Sequence, residues 1–390
     1  MVSDAGWPRV GWEVRPWTPR NAPDSASFGA RRLARSYRAA VPALIADGAL
    51  RLPSAVAAAA EEASVEIARF DAELAAEAAL FGTVLVQAES VASSGIEGIS
   101  ADSKALSLAG LGSTANSDAR EIVGNIAAMR AASESADDVD GILAVHDALL
   151  GDLHPDIAGR WRQAPVWIGG TSSGPHEATF VPPHHDHLPG LMDDLVAFVR
   201  RTDLPLFAQA ALAHAQFETI HPFADGNGRT GRALIHSMLQ RRGLASTITM
   251  PVSAGLLTDT RTYFAALTAY RKGDPSAIVE CLANASFEAM TNGRQVIAAL
   301  RGIRRDWDDK INARRGAAAW RVADLLLRRP VIDAATVAGE LGVEPRNAQR
   351  AIAPLAKAGV VNELTGSKRN RMWQVPEVLV VSDRFAARLT

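Results

Sequence analysis

Apolar residues recur at helical spacing along most of this chain, and that pattern predicts a mainly α-helical protein. Residues 54–92 carry Ile67, Phe70, Leu74, Ala78 and Phe81 three or four positions apart, the spacing that lines one face of a helix. The period returns at 119–134, 140–152 and 188–201. It is clearest at 205–220, where Leu206, Ala210, Ala213, Phe217 and Ile220 form a single stripe. Further helices fit 228–241, stopped by Gly243, and then 258–272, 276–296 and 297–315. Three stretches break the pattern. Residues 1–35, with four prolines and three tryptophans, hold neither helical nor strand period and read as an irregular arm. The Ser/Gly/Asn-rich stretch 100–118 reads as a loop. Residues 160–183 set two short extended runs around a Gly/Ser/Pro turn, which is a hairpin signal.

The last 75 residues change character. Residues 334–341, a turn at Gly342-Val343, and 345–358 read as helix-turn-helix, with Gly359 ending the second helix. Val360 to Val375 then reads as two strands around the basic run 366–371, like the wing of a winged helix. Arg346, Asn347, Gln349 and Arg350 on the second helix, with that wing, suit DNA phosphates and base edges. A protein contact is the competing use.

Composition narrows the class. Hydrophobic residues make up 48% and charged residues 22%, which excludes global disorder and a fibrous chain. The net charge of −2 argues against a wholesale nucleic-acid binder, while residues 316–390 alone carry +4. Cys281 is the single cysteine, so no intrachain disulfide forms and a reducing, cytoplasmic setting is expected. Met1 to Val10 shows no secretory pattern, and no run of about 18 uninterrupted apolar residues appears, so no membrane partner is expected. The expected domains are 1–118 (arm and helical region), 119–300 (core), 301–315 (connecting helix) and 316–390.

One segment concentrates chemistry: His221-Pro-Phe-Ala-Asp-Gly-Asn-Gly-Arg-Thr-Gly-Arg232. An apolar helix ends near Ile220, a Gly226-Asn227-Gly228 turn follows, and a new helix begins. Glycines there let consecutive backbone N–H groups converge on an anion, and the new helix presents its positive end to the same spot. Arg229 and Arg232, three apart, share a face of the first turn, which is unfavourable unless an anion sits there. Asp225 offers a hard oxygen to Mg²⁺. His221, at the other end of the loop, is placed to take a proton from a hydroxyl nucleophile. Together these residues describe transfer from a nucleoside polyphosphate to an alcohol. Gly226-x-Gly228-x-x-Gly231 also matches the dinucleotide fingerprint, but that fingerprint needs a preceding strand, and here the preceding period is helical.

The string His221 to Arg232 resembles the signature of the Fic family, HPFx[D/E]GNGRxxR, with every specified position filled. Gly159-Arg-Trp-Arg, Trp167-Ile-Gly-Gly, Phe180-Val-Pro-Pro, Ala213 to Ile220, Arg261-x-Tyr263 and Gly273-Asp274 extend the likeness over roughly residues 35–300. The resemblance implies a Fic helical core with a short β-hairpin flap. It also implies transfer of AMP from ATP to a Ser, Thr or Tyr hydroxyl of a target protein. Carried over, His221 is the general base and Asp225 holds Mg²⁺. Gly226, Asn227 and Gly228 bind the α- and β-phosphates, Arg229 contacts the phosphate chain and Arg232 holds the γ-phosphate. Phe223 anchors the loop. Thr179 and Phe180 on the flap border the nucleotide, and Tyr263 joins the nucleotide-binding set.

Ser93-Ser-Gly-Ile-Glu97-Gly98 matches the family's inhibitory motif, [S/T]xxxE[G/N], ahead of the signature. The implied logic is a Glu97 carboxylate paired with Arg232, taking the group that the γ-phosphate needs. AutoAMPylation and a homo-oligomer are further partners that the family resemblance admits. Alternative functions are a nucleotide-sensing DNA-binding regulator, or transfer or removal of another nucleotidyl group. His184-His-Asp-His187 invites a zinc reading, but no second cluster in the sequence completes a four-ligand set. His146 and His214 read as core histidines and Cys281 as inert packing.

Overall fold

The computed structural model describes residues 6–17, 36–171, 174–366 and 371–388. The chain divides into two compact units, each assembled from separated stretches of sequence. Unit 1 comprises 1–64, 127–242 and 260–283, and unit 2 comprises 65–126, 243–259 and 284–390. The fold is mostly helical with small antiparallel sheets.

Unit 1 opens on strands β1 (Gly11–Pro16) and β2 (Ser36–Val41), which pair antiparallel with Trp12 opposite Ala40 and Val14 opposite Arg38. The expected irregular arm is therefore partly a strand. Its Trp12-Glu13-Val14-Arg15 alternation is only four residues long, and its partner lies more than twenty residues away, so no local period betrays it. Residues 18–35 lie outside the described residues. After α1 (Ser54–Leu74), the core of unit 1 is built by α5 (Val139–Leu150), α6 (Leu188–Val199), α7 (Leu206–Ile220), α8 (Asn227–Arg241) and α10 (Thr260–Arg271).

Helix α7 is the centre of unit 1, buried from Phe207 to Ile220 without interruption. A single apolar stripe was expected; the other faces are buried too, because small alanines let neighbours approach and each polar residue is bonded. Gln209 Nε2 donates to the carbonyls of Phe198, Val199 and Arg201. Gln216 donates to Ala43 O at 2.9 Å and accepts from the Tyr270 hydroxyl at 2.9 Å. Buried polar groups held by specific hydrogen bonds favour one packing arrangement.

Between α5 and α6 the predicted hairpin is joined by one antiparallel bridge, Ile168 to Phe180. Ile168 N donates to Phe180 O at 2.8 Å, and Thr179 N returns to Ile168 O at 2.8 Å. Gly169 and Gly170, with φ of 72° and 76°, turn the chain immediately after the bridge, so the ladder does not extend. Pro182 and Pro183 lack the N–H that would prolong it on the other limb. Ala40 N donates to Val181 O at 2.9 Å, which ties this limb to β2.

Unit 2 holds α2 (Ala78–Ile96), α3 (Ser103–Ala109), α9 (Val252–Thr258) and the C-terminal elements; α4 (Ser117–Ser135) and α11 (Ser276–Lys310) have residues in both units. The stretch expected as loop contains α3, capped by the Asp102 carboxylate on Ala105 N at 2.6 Å. Seven residues are too few to show a period. The predicted 258–272 helix is the one that runs Thr260–Arg271, preceded by the short α9, which meets the predicted range only at Thr258, and the two helices predicted over 276–315 are one that ends at Lys310. Residues 54–96 also contain a window of mean hydropathy 1.3, long and apolar enough to cross a membrane by length and composition. Alanine makes it so, where the sequence reading counted only uninterrupted apolar runs. Two carboxylates of this stretch, Glu89 and Asp71, are buried and bonded within unit 2. Glu89 accepts from Ser253 N at 2.8 Å and from the Ser253 hydroxyl. Asn125 Nδ2 donates to Ser90 O at 3.0 Å and Ser94 Oγ at 3.1 Å.

The C-terminal elements are α12 (Ala318–Arg328), β3 (Val331–Asp333), α13 (Ala334–Leu341), α14 (Pro345–Lys357), β4 (Asn362–Glu363), β5 (Met372–Gln374) and α15 (Pro376–Ala387), of which α13 and α14 fall on the two expected helices. Asp333 caps α13 through Thr336 N at 2.7 Å, and Gly342, at φ 66°, makes the turn into α14. The strands form one antiparallel sheet in the order β3-β5-β4. Residues 367–370, within the expected wing, lie outside the described residues.

The Asp71 carboxylate gathers five donors: the N–H groups of Ser246, Thr247 and Ile248 and the hydroxyls of Ser246 and Thr247, at 2.7 to 3.2 Å. Hydrogen bonds to a charged group contribute about 1.5–3 kcal/mol each, and orphaned donors cost more. Asp71→Ala is expected to lower unfolding stability by about 2–4 kcal/mol, read as a lower urea midpoint with an unchanged m-value.

Candidate active site

The segment 221–226 bridges α7 and α8, and its shape is set by residues that do not face solvent. His221 closes α7 in the left-handed conformation, φ 51°, the single non-glycine residue with positive φ among those described. That costs about 1–2 kcal/mol. Arg162 holds it there. The Arg162 Nε donates to His221 O at 2.8 Å, and Nη2 donates to Pro183 O at 2.6 Å and reaches Ile220 O at 3.4 Å. Its own N–H donates to Pro222 O at 3.0 Å. Burial lowers the Arg162 guanidinium to about 10, still charged at neutral pH, and carbonyl dipoles meet that charge. Arg162 thereby terminates α7 and ties the flap limb to the loop in one side chain.

Phe223 is the loop's anchor, as its place in the signature implies. It is fully buried, stacked on His146 at 3.6 Å between ring centres and tilted against Trp161. The Asn227 side chain clamps it from the other side: Phe223 N donates to Asn227 Oδ1 at 2.8 Å, and Asn227 Nδ2 donates to Phe223 O at 3.0 Å. Its amide is thus spent on the loop, so what Asn227 can offer an anion is its backbone N–H. His146 completes the frame. Its Nδ1 accepts from Gly159 N at 3.0 Å, so Nε2 carries the proton and donates to Asp225 O at 3.0 Å. Burial lowers His146 to about 4, which keeps that tautomer neutral.

His221 is 19% exposed and its Nδ1 hydrogen-bonds to nothing. The Glu218 carboxylate, one turn back on α7 and buried, lies 3.7 Å from Nδ1. Burial, then the cations of Arg271 and Arg162, push His221 down to about 3. The imidazole is therefore neutral across the physiological range, as a proton acceptor must be. A carboxylate on the Nδ1 side favours the proton there and leaves Nε2 as the basic nitrogen.

On the other side of the loop, α8 begins at Asn227 after Gly226 in the left-handed conformation, φ 74°. A Cβ at Gly226 would meet Leu149 Cδ2 at 2.8 Å, so glycine is required by conformation and by space. The N–H groups of the first turn have no intrahelical acceptor and converge with the positive helix end. Arg229 and Arg232 are almost fully buried beneath them. The Asp225 side chain, 59% exposed, lies 3.5 Å from Arg229 Nη2. A single exposed carboxylate beside an anion-ready helix end fits Mg²⁺, which takes one or two carboxylates and shares its remaining positions with phosphate and water.

The remaining predicted residues are distributed. Phe180 is buried under the Arg271 guanidinium, 3.8 Å from ring centre to Cζ, while Thr179 is exposed at the flap bridge. Tyr263 is buried against α7, its hydroxyl 2.8 Å from His214 Nε2. Ser93 is buried on α2, Glu97 is exposed as the cap residue of that helix, and Gly98 turns the chain at φ 78°. These three belong to unit 2, and the loop residues to unit 1.

Sequence reasoning gave no role to Arg162, Glu218 or Gly231, and read His146 only as a core histidine. Arg162 could have been flagged as a charge inside the Gly159-Arg-Trp-Arg segment, and Glu218 as the polar break in an apolar helix. At Gly231 a Cβ would meet Phe217, Glu218 and His214 at 2.9 to 3.2 Å, so this glycine lets α7 and α8 touch. No local pattern reveals that.

Residues 137–239 match the family model described as Fic/DOC family. The chain is 36% identical over 110 residues to the protein adenylyltransferase Fic of Aedes aegypti, covering 27% of this chain and 20% of that protein. It is 30% identical over 177 residues to the protein adenylyltransferase fic-1 of Caenorhabditis elegans, covering 43% and 32%. The chain thus spans at most a third of the length of these curated relatives. Among solved structures, a Fic family protein from Desulfovibrio desulfuricans G20 superposes with a TM-score of 0.49 at 21% identity, over 80% of this chain and 95% of that one.

Three histidines around this loop share one property with a measurable consequence. Burial lowers His146 to about 4 and His214 and His221 to about 3, against about 6.5 when unfolded. Below pH ~6.5 the unfolded chain binds protons that the folded chain refuses. Their stabilisation is complete above that pH and is lost as pH falls toward 4. Urea midpoints are expected to drop from pH 7.5 to pH 5, and His214→Asn to flatten that slope by about one proton.

Proposed function

We propose that this chain, whose residues 137–239 match the Fic/DOC family model, transfers AMP from ATP to a hydroxyl side chain of a target protein. The observation that carries the reading is the loop itself: a neutral, partly exposed His221 at one end and an anion-ready helix start with buried Arg229 and Arg232 at the other. A base and a polyphosphate cradle six residues apart are what nucleotidyl transfer to an alcohol requires.

In this mechanism His221 Nε2 accepts the proton of the target hydroxyl, and the hydroxyl oxygen attacks the α-phosphorus. The bond from that phosphorus to the oxygen bridging to the β-phosphate breaks, and pyrophosphate leaves. Glu218 stabilises the imidazolium that forms. The first-turn N–H groups of Asn227 and Gly228 hold the phosphate chain, with Arg229 and Arg232 supplying charge. Asp225 would hold Mg²⁺, which neutralises polyphosphate charge when bound. Main-chain groups of the flap would orient the target segment as an added strand. Glu97 would restrain the reaction by pairing with Arg232 in competition with the γ-phosphate.

Incubation with α-labelled ATP and Mg²⁺ tests this directly. Glu97→Gly is expected to raise label on protein strongly over wild type. His221→Ala in that background is expected to lower it by about 10²–10⁴. Absence of label from every variant, with added target candidates, would count against AMP transfer.

A second reading concerns residues 316–390, which we propose form a winged helix that contacts DNA. It is supported by the α13–turn–α14 arrangement with Arg346, Asn347, Gln349 and Arg350 exposed on α14. A salt-dependent shift of duplex DNA, weakened when Arg346 and Arg350 become alanine, is expected. No shift at low salt would assign the module to protein contacts.

A further inference from the structure

His184, His185 and Asp186 lie on the short turn that leads from the flap limb into α6. His184 Nδ1 is 3.0 Å from Asp186 Oδ2, and His185 Nε2 is 3.8 Å from Asp186 Oδ1. One donor atom from each of the three lies within 4.8 Å of the others, the one such convergence of His, Cys, Asp or Glu groups among the described residues. Ligands held about 2.0–2.2 Å from a tetrahedral zinc ion sit about 3.3–3.5 Å from each other. The His184 nitrogen is somewhat nearer than that to one carboxylate oxygen of Asp186, and the His185 nitrogen somewhat farther from the other. The imidazoles are 17% and 28% exposed and sheltered by their own packing, rings 4.0 Å apart, while the carboxylate is open to solvent.

The sequence reading set this cluster aside because nothing completes four protein ligands. A site with three protein donors and an open position for water needs no fourth. Its donor set, two imidazoles and one carboxylate, suits Zn²⁺ rather than Mg²⁺ or Ca²⁺, which take oxygen. Arg15 Nη1 lies 3.7 Å from Asp186 Oδ2, but Arg15 Nε is bonded to Glu13 Oε1 at 2.8 Å. Glu13 therefore offsets that cation, and Arg15 steadies the carboxylate from outside. His187 is engaged with Glu13 at 3.0 Å and is not needed as a ligand.

We propose that His184, His185 and Asp186 form a Zn²⁺-binding site separate from Asp225. Its position gives it a consequence. Pro183, the preceding residue, supplies a carbonyl to Arg162, which also holds His221 O. A cation here fixes the backbone one residue from that carbonyl, stiffening the connection from flap to active loop.

The test uses full-length, tag-free protein titrated with ZnCl₂ by calorimetry. One Zn²⁺ per chain is expected, with affinity at least about tenfold lower in His184→Ala/His185→Ala and in Asp186→Asn. Asp225→Asn is expected to leave it unchanged, and neither result depends on AMP transfer. No zinc binding, or binding indifferent to the 184–186 variants, overturns the proposal. Should those variants misfold by circular dichroism, Co²⁺ bound to the wild-type protein decides. Intense visible bands of a four- or five-coordinate site support it, and the pale spectrum of hydrated Co²⁺ overturns it.

Discussion

The bonds between the buried guanidinium of Arg162 and the carbonyls at the end of α7 set the geometry on which the rest of the site depends. A helix that stops inside a protein leaves carbonyls without donors, and a residue in the left-handed conformation is strained unless its surroundings impose it. Arg162 answers both needs at His221 O and Ile220 O, and uses a further N–H on Pro183 O. His221, the loop and the flap limb therefore share one fixed point. Lysine could not replace it, because three planar, divergent donors are in use at once.

The electrostatics follow from burial around that point. Burial, with the cations of Arg271 and Arg162 beside it, keeps His221 neutral, while Arg229 and Arg232 are buried at the start of α8. Buried positive charge thus flanks both ends of a six-residue loop, and at His221 it helps to suppress a proton. Neutral His146 separates the two regions, passing a hydrogen bond from Gly159 through its ring to Asp225 O.

Much of this arrangement was legible in the sequence because its causes are local. Helical period located α5 to α8, and the string from His221 to Arg232 marked the loop and the start of the helix after it. The Asp333 cap and the Gly342 turn placed α13 and α14 where the pattern put them. What stayed hidden rests on contacts between distant residues. Strand β1 needs β2 before it is a strand, and α3 is too short to show a period. Glu218 looked like part of an apolar stripe's polar side, and only the turn of α7 brings it to Nδ1 of His221. Gly231 matters because two helices touch there, and Asp71 because the backbone at 246–248 folds onto it. The flap was read correctly as two limbs, but Gly169 and Gly170 end the pairing after one bridge.

The interleaving of the two units along the chain has a consequence for synthesis. Every residue of unit 1 has left the ribosome once Ala283 has emerged, whereas unit 2 still lacks 284–390, its largest segment. The helix bearing Glu97 is made early, and some of its bonds, those to Asn125 and Ser253, need only residues that precede 284, but the C-terminal elements of its unit follow later. The loop 221–226 can therefore acquire its final form on a nascent chain before unit 2 has acquired its own. During that interval the order of assembly, and not the equilibrium between finished states, determines which unit is folded.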